Sequence, residues 1–190
     1  MEQNFQHDEK IESQIRECFG RVAYTHKAHE KCADYLTVKG GVIKTIQIVL
    51  SAITTGGFLY TIFGENKFIT IFGVLASSVL LILTLYYKEF KFEELAEKHR
   101  IAALSLWNVR ESYVSLLVDM KNLDIESIVN KRDNLQNQLF KIYEHSPRTN
   151  TKGYSKAQQA LKSAEDLTFS NEEIDIMLPE EIRRNMKSID

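Results

Sequence analysis

Two apolar runs without a charge, Thr45 to Phe63 and Phe68 to Tyr87, flank the tetrapeptide Gly64-Glu65-Asn66-Lys67. They hold 19 and 20 residues, and at about 1.5 Å rise per residue a helix of either length matches the ~30 Å hydrocarbon core of a bilayer. A buried hairpin in a soluble helical protein is the rival reading. Helices of that kind usually keep a polar face, whereas neither run contains a charge in its interior. The pattern therefore predicts a transmembrane hairpin.

Orientation follows from the lysines, because positively charged flanks are retained in the cytoplasm. Lys39 and Lys44 precede the first run and Lys88 and Lys91 follow the second, whereas the turn has Lys67 offset by Glu65. Both termini are thus expected in the cytoplasm, and Tyr60, Tyr86 and Tyr87 fall near the ends of the runs, where amphipathic rings suit the headgroup region. Met1-Glu2-Gln3-Asn4 is not a basic leader and no apolar stretch precedes the hairpin, so the first span is expected to direct insertion itself. Cys18 and Cys32 fall in segments assigned to a reducing compartment and read as packing residues. The net charge of −2 gives no basic footprint, so no direct nucleic-acid binding is expected.

The hairpin leaves about three quarters of the 190 residues outside the bilayer, and these read as helix almost throughout. The chain divides into an N-terminal helix (1–41), the hairpin (42–87), heptad helices (88–144), and a polar loop with C-terminal helices (145–190). Ile11, Ile15, Cys18, Phe19, Val22, His26, His29 and Ala33 form one stripe, and Gly40-Gly41 is expected to break the helix before the membrane. Phe92, Leu95, His99, Ala102, Leu106, Val109, Tyr113 and Leu116 alternate at three and four residues. With no breaker after Tyr87, the second span is expected to run on as one rod to about Met120. Leu95, His99, Leu106, Val109 and Tyr113 are the expected oligomer seam.

Ile125, Ile128, Arg132, Leu135, Leu139 and Ile142 mark a further helix from Ile125 to Tyr143, with Asn122-Leu123-Asp124 supplying a turn and an N-cap, packed antiparallel on its predecessor. His145 to Gly153 reads as a polar loop, Tyr154 to Leu167 as a short helix, Ser170 with Glu173 as a capping box, and Pro179 as the start of a last helix. The fold class is an all-α membrane protein: a two-helix transmembrane hairpin whose long cytoplasmic extensions form a helical bundle.

Catalytic patterns are missing: there is no phosphate-binding glycine loop, nucleophile elbow or metal-ligand spacing, and neither enzyme activity nor a cofactor is expected. His26, His29 and Cys32 invite a metal reading, but positions six apart on a helix point about 240° apart. Packing in a helical interface is favoured for them, and for His99 a role in fixing register is favoured over pH sensing.

Within the first span Gln47, Ser51, Thr54 and Thr61 share a three-four spacing completed by Phe58; Thr70, Gly73, Ser77 and Thr84 do so on the second, interrupted by Leu80. Small and hydroxylated residues glue helices together, so packing is the favoured role. A Gln in line with Ser and Thr could also wet an oligomeric channel, which two spans per chain would build only with several subunits.

The stretch Arg21-Val22-Ala23-Tyr24-Thr25-His26-Lys27-Ala28-His29, the hairpin, and the helix continuing past Lys88-Glu89-Phe90 carry a resemblance to a known family. So do Arg132-Asp133-Asn134-Leu135, Ser146-Pro147 and Tyr154-Ser155-Lys156-Ala157. Together they make the chain similar to the SLATT proteins, two-transmembrane effector domains of bacterial conflict and anti-phage systems. That resemblance implies an inner-membrane effector of an abortive infection response, which oligomerises and forms a pore or otherwise disrupts the membrane on a signal. It further implies a separately encoded partner: a sensor, a nucleotide synthase or a reverse transcriptase.

From the residues alone, the loop with Arg148 and Lys152 is the candidate surface for a phosphate-bearing signal, although a solvated surface loop is the favoured reading. The alternative function is a non-enzymatic membrane-anchored scaffold or adaptor whose heptad helices bind a partner.

Overall fold

The computed structural model describes residues 2–63 and 67–177, with side chains for 9–60, 67–171, 173, 174 and 176. Among these the chain is all-helical in its secondary structure, with connecting loops and without strands: α1 (Glu2–Phe63), α2 (Lys67–Phe90), α3 (Phe92–Asp119), a short 3-10 turn (Met120–Asn122), α4 (Ile125–His145), α5 (Thr151–Lys162) and α6 (Asn171–Met177). The turn at 64–66, the Thr61 side chain and the helix expected from Pro179 lie outside the described residues.

α1 is one helix of 62 residues and does not break at Gly40-Gly41. Ala33, Leu36, Gly40, Ile43, Gln47, Leu50, Thr54 and Gly57 keep a strict three-four spacing, and all are buried or half-buried, so one seam runs unbroken from the extramembrane part into the span. Glycine inside a helix costs up to about 1 kcal/mol. At Gly40 that cost is offset by closeness, because a Cβ there would meet the Phe92 Cβ at 3.2 Å.

The second span also departs from expectation. Instead of one rod to Met120, Lys91 adopts a left-handed conformation, φ 43° and ψ 50°, and separates α2 from α3. The seams explain the break. α2 turns Ile69, Gly73, Ala76, Leu80, Leu83 and Tyr87 towards α1, while the seam of α3 starts at Phe92. Five residues advance a straight helix by about 140° beyond a full turn, which would turn Phe92 away. Lys91 absorbs that phase difference, leaving Phe90 53% exposed and Phe92 3% exposed.

Outside the hairpin, Ile11, Ile15, Cys18 and Val22 of α1 form a core with Leu106, Val109, Tyr113 and Leu116 of α3 and with Ile128 and Leu135 of α4. The Asp124 carboxylate accepts from the Ser127 amide at 2.8 Å, capping α4 as the sequence predicts. Arg132 ties α4 to α1 by donating to Gln14 at 2.9 Å. α5 starts three residues before the expected Tyr154, because Asn150 accepts from the Gly153 amide at 2.7 Å and caps it; the helix then ends at Lys162. The capping box closes in both directions, Ser170 N to Glu173 at 2.7 Å and Glu173 N to Ser170 at 3.2 Å.

Only 6% of each apolar window is buried, and Ile48, Phe68 and Ile82 point outward. A hairpin in a soluble core would be mostly buried. Two helices this apolar, with their side chains facing out, suit a lipid surround.

Candidate functional site

The polar residues of the spans do not share one face. Gln47 and Thr54 lie on the seam between α1 and α2, where Gln47 Nε2 donates to Thr84 Oγ1 at 3.3 Å. Thr84 in turn donates to the Leu80 carbonyl at 2.8 Å, and Thr54 donates to the Leu50 carbonyl at 2.8 Å. Gln47 thus bridges the two spans. Ser51 and Thr55 lie on an outward flank, where with Lys44, Gln47, Thr84 and Lys88 they border a groove of about 990 Å³. On α2, Gly73 and Leu80 face the seam while Thr70 and Ser77 face outward. A shared helical spacing in the sequence therefore resolves into the interhelical hydrogen bond of Gln47 with Thr84 and a separate polar flank.

Where the spans meet the bundle, aromatic rings and cations gather around the Lys91 joint. Tyr86, Phe90 and Phe92 pack with ring centroids 4.3 to 5.8 Å apart. Lys39 donates to the Tyr86 hydroxyl at 2.9 Å and lies 5.1 Å from the Phe92 ring centre. Lys44 lies 5.3 Å from the Tyr87 ring and pairs with Glu93, whose carboxyl is held below its usual range first by that hydrogen bond. The first residues of α3 are thereby held to α1 just outside the span.

Deeper in the bundle, His26, His29 and Cys32 take three separate partners. The Ala103 carbonyl can only accept, so His26 Nδ1, 2.9 Å away, carries the proton and donates. His29 Nδ1 faces His99 Nδ1 at 3.0 Å, a pairing between α1 and α3 that helical spacing alone could not reveal. Cys32 lies beneath Gly153 of α5. Among the described residues no three His, Cys, Asp or Glu side chains gather as a metal site. Lys27 is buried beside them; burial works against its charge, but hydrogen bonds to Glu30 and Asp166 outweigh it and raise its pKa.

The expected oligomer seam is occupied within the chain. His99, Leu106, Val109 and Tyr113 are buried and Leu95 is half-buried in the extensive α1–α3 contact. A three-four stripe in the sequence shows that a partner helix exists, not whether it belongs to another copy. Of the two loop cations, Arg148 is exposed, whereas Lys152 sits in the first turn of α5 with its ammonium 4.3 Å from the Tyr35 ring centre.

Two membrane-length helices, joined to an extramembrane helical bundle by a continuous α1, define a two-transmembrane-helix membrane domain. The model of the family described as SMODS and SLOG-associating 2TM effector domain family 4 matches residues 11–173, from the first core residue of α1 into α6. The chain belongs to that SLATT family. Comparison with curated proteins and with solved structures gives no match.

Proposed function

We propose that this chain is a membrane effector of a bacterial anti-phage conflict system. Its termini lie in the cytoplasm, a cytoplasmic signal reaches the bundle, and several copies then assemble their hairpins to breach the inner membrane. The continuity of α1 carries this reading: the seam that packs the bundle is the seam that packs the hairpin, so a rearrangement against α3 or α5 reaches the span without an intervening loop. The family description, an effector domain associating with SMODS and SLOG, supports the effector role and a separately encoded nucleotide synthase or sensor as partner. Ser51 supports assembly, because a hydroxyl facing outward at membrane depth is better placed against a neighbouring hairpin than against lipid, whereas that of Thr55 donates to the Ser51 carbonyl at 2.8 Å. Arg148 and Lys152 are where a phosphate-bearing signal would meet cations, and replacing both with alanine should then abolish activation.

Membrane potential after induced expression tests the proposal, comparing the native chain with Gln47→Leu/Ser51→Ala/Thr54→Ala and with a variant carrying three glycines inserted after Gly41. Depolarisation by the native chain that both variants lose at matched membrane levels is the expected result. Depolarisation unaffected by the glycine insertion would remove the role given to α1. A membrane-anchored adaptor is the second reading, favoured by Ile101, Leu104 and Val118 exposed on the outer face of α3. An adaptor keeps its activity when the hairpin is exchanged for an unrelated one.

A further inference from the structure

The groove on the polar flank is graded along its length. At the end nearest the bundle its rim holds Lys44, Tyr87 and Lys88; Gln47, Ile48, Ser51 and Thr84 come next; Ala52, Thr55, Gly56 and Leu80 line the deeper part, where the Thr55 hydroxyl donates to the Ser51 carbonyl at 2.8 Å. From Lys44 to Gly56 is twelve residues, about 18 Å along the helix, close to the ~15 Å depth of one bilayer leaflet. The small side chains of Ala52 and Gly56 leave a channel in the surface of α1. The order of cations, hydrogen-bonding groups and apolar lining repeats the phosphate, ester and acyl zones of a phospholipid.

Charge on the rim selects among lipids. Lys44 pairs with Glu93 and Lys91 with Glu94 at 3.2 Å, but Lys88 has no carboxylate within ion-pair distance among the described residues. We infer that this groove holds one anionic phospholipid from the leaflet next to the bundle. Its phosphate meets Lys88 beside Lys44, its ester oxygens accept from the Ser51 hydroxyl, and one acyl chain lies over Ala52, Gly56 and Leu80. The inference rests on the membrane-spanning reading of the hairpin and not on pore formation. It deepens the proposed function in one respect: a second hairpin packing on this flank must first displace the lipid, so the bound lipid opposes assembly.

The test is retention of lipid by the full chain. The protein is passed through vesicles of equal phosphatidylglycerol and phosphatidylcholine, extracted in mild detergent, and weighed intact by native mass spectrometry. One phosphatidylglycerol per chain is the expected result, with phosphatidylcholine retained several-fold less. Lys88→Gln should lower phosphatidylglycerol retention about fivefold, the factor for one lysine near an anionic lipid surface. Ala52→Phe should empty the groove, and Val49→Phe, an exposed position outside it, should leave retention unchanged. Circular dichroism and elution volume establish that each variant is folded, and Lys88→Gln carries the test if Ala52→Phe is not. Equal retention of both lipids, no change in Lys88→Gln, equal loss in Val49→Phe, or a lipid-free dimer would each overturn the inference. Because retention is read on the resting chain, its failure is distinguishable from a failure to depolarise cells.

Discussion

His29 of α1 and His99 of α3 face each other through their Nδ1 atoms at 3.0 Å in the buried interface between the two helices. One ring donates and the other accepts, so the contact cannot survive protonation of both. Burial first, then the nearby His99 and His26, lowers the pKa of His29 to about 4, and burial lowers that of His99 as well.

Acid should therefore loosen the bundle. With a folded pKa below the unfolded value of about 6.5, the native state binds fewer protons; its stability is fully present above pH ~6.5 and declines as the pH falls towards about 4. The His29 shift corresponds to on the order of 3 kcal/mol. Melting temperature in detergent should fall across this window, and less steeply in His29→Leu/His99→Leu, whose remaining pH dependence belongs to carboxylates. Identical slopes for the two proteins would show that the pair is not buried neutral.

The joint at Lys91 behaves as a one-residue insertion between two seams. Deleting Lys91 brings Phe92 four residues after Tyr87, within about 40° of a whole turn, so α2 and α3 should fuse with their seam intact. The deletion variant should keep its helicity and melt no lower than the native chain, and amide exchange around 88–94 should slow. Lys91→Gly should also be stabilising, by up to about 1 kcal/mol, because glycine adopts φ 43° without strain. Loss of fold on deletion would show that the kink is required by something other than phase.

Gly153 lets α5 lie close against Ala28 and Cys32 of α1. A Cβ there would overlap Cys32 Sγ and approach the Ala28 carbonyl to 3.2 Å, so Gly153→Ala should cost about 1–3 kcal/mol and speed hydrogen exchange across α5. Adding Cys32→Ala removes the sulfur but not the carbonyl, and only part of the loss should return. Full recovery would mean that the carbonyl moves freely.

Leu104 and Leu106 are near neighbours with opposite surroundings, 71% and 0% exposed. Leu106→Ala should cost about 2–5 kcal/mol and Leu104→Ala about 0.5 kcal/mol or less. Thermal melts of the two variants decide whether the seam of α3 is used inside one chain. Similar small losses would place Leu106 at an exchangeable interface between copies.

The hairpin, the capping residues Asp124 and Ser170, and the stripes of α1 and α3 were legible in the sequence because each is a short-range pattern in which period and cap chemistry repeat locally. Four features were not. Gly40-Gly41 reads as a break until Phe92 is known to press against it, and Lys91 gives no local signal because the need for a kink arises from the phase of a seam on another helix. The same limit applied to the spans: spacing placed Gln47 and Ser51 on one stripe, whereas the position of α2 decides that Gln47 bonds to Thr84 and Ser51 faces out. It also hid the pairing of His29 with His99, whose residues stand 70 apart in the chain.

The 62 residues of α1 amount to about 93 Å, of which a bilayer covers about 30 Å. The helix is thus a lever with its fulcrum near Gly40 and Lys44, one arm in lipid and another about twice as long outside. A displacement of about 5 Å at the far tip tilts the buried arm by about 5°, and a pull there is roughly doubled where it meets the acyl chains. Because Gln47 bonds to Thr84 across the seam and Lys44 pairs with Glu93 at the joint, such a tilt loads the contacts that hold α2 and α3 to α1 at the membrane end of the lever.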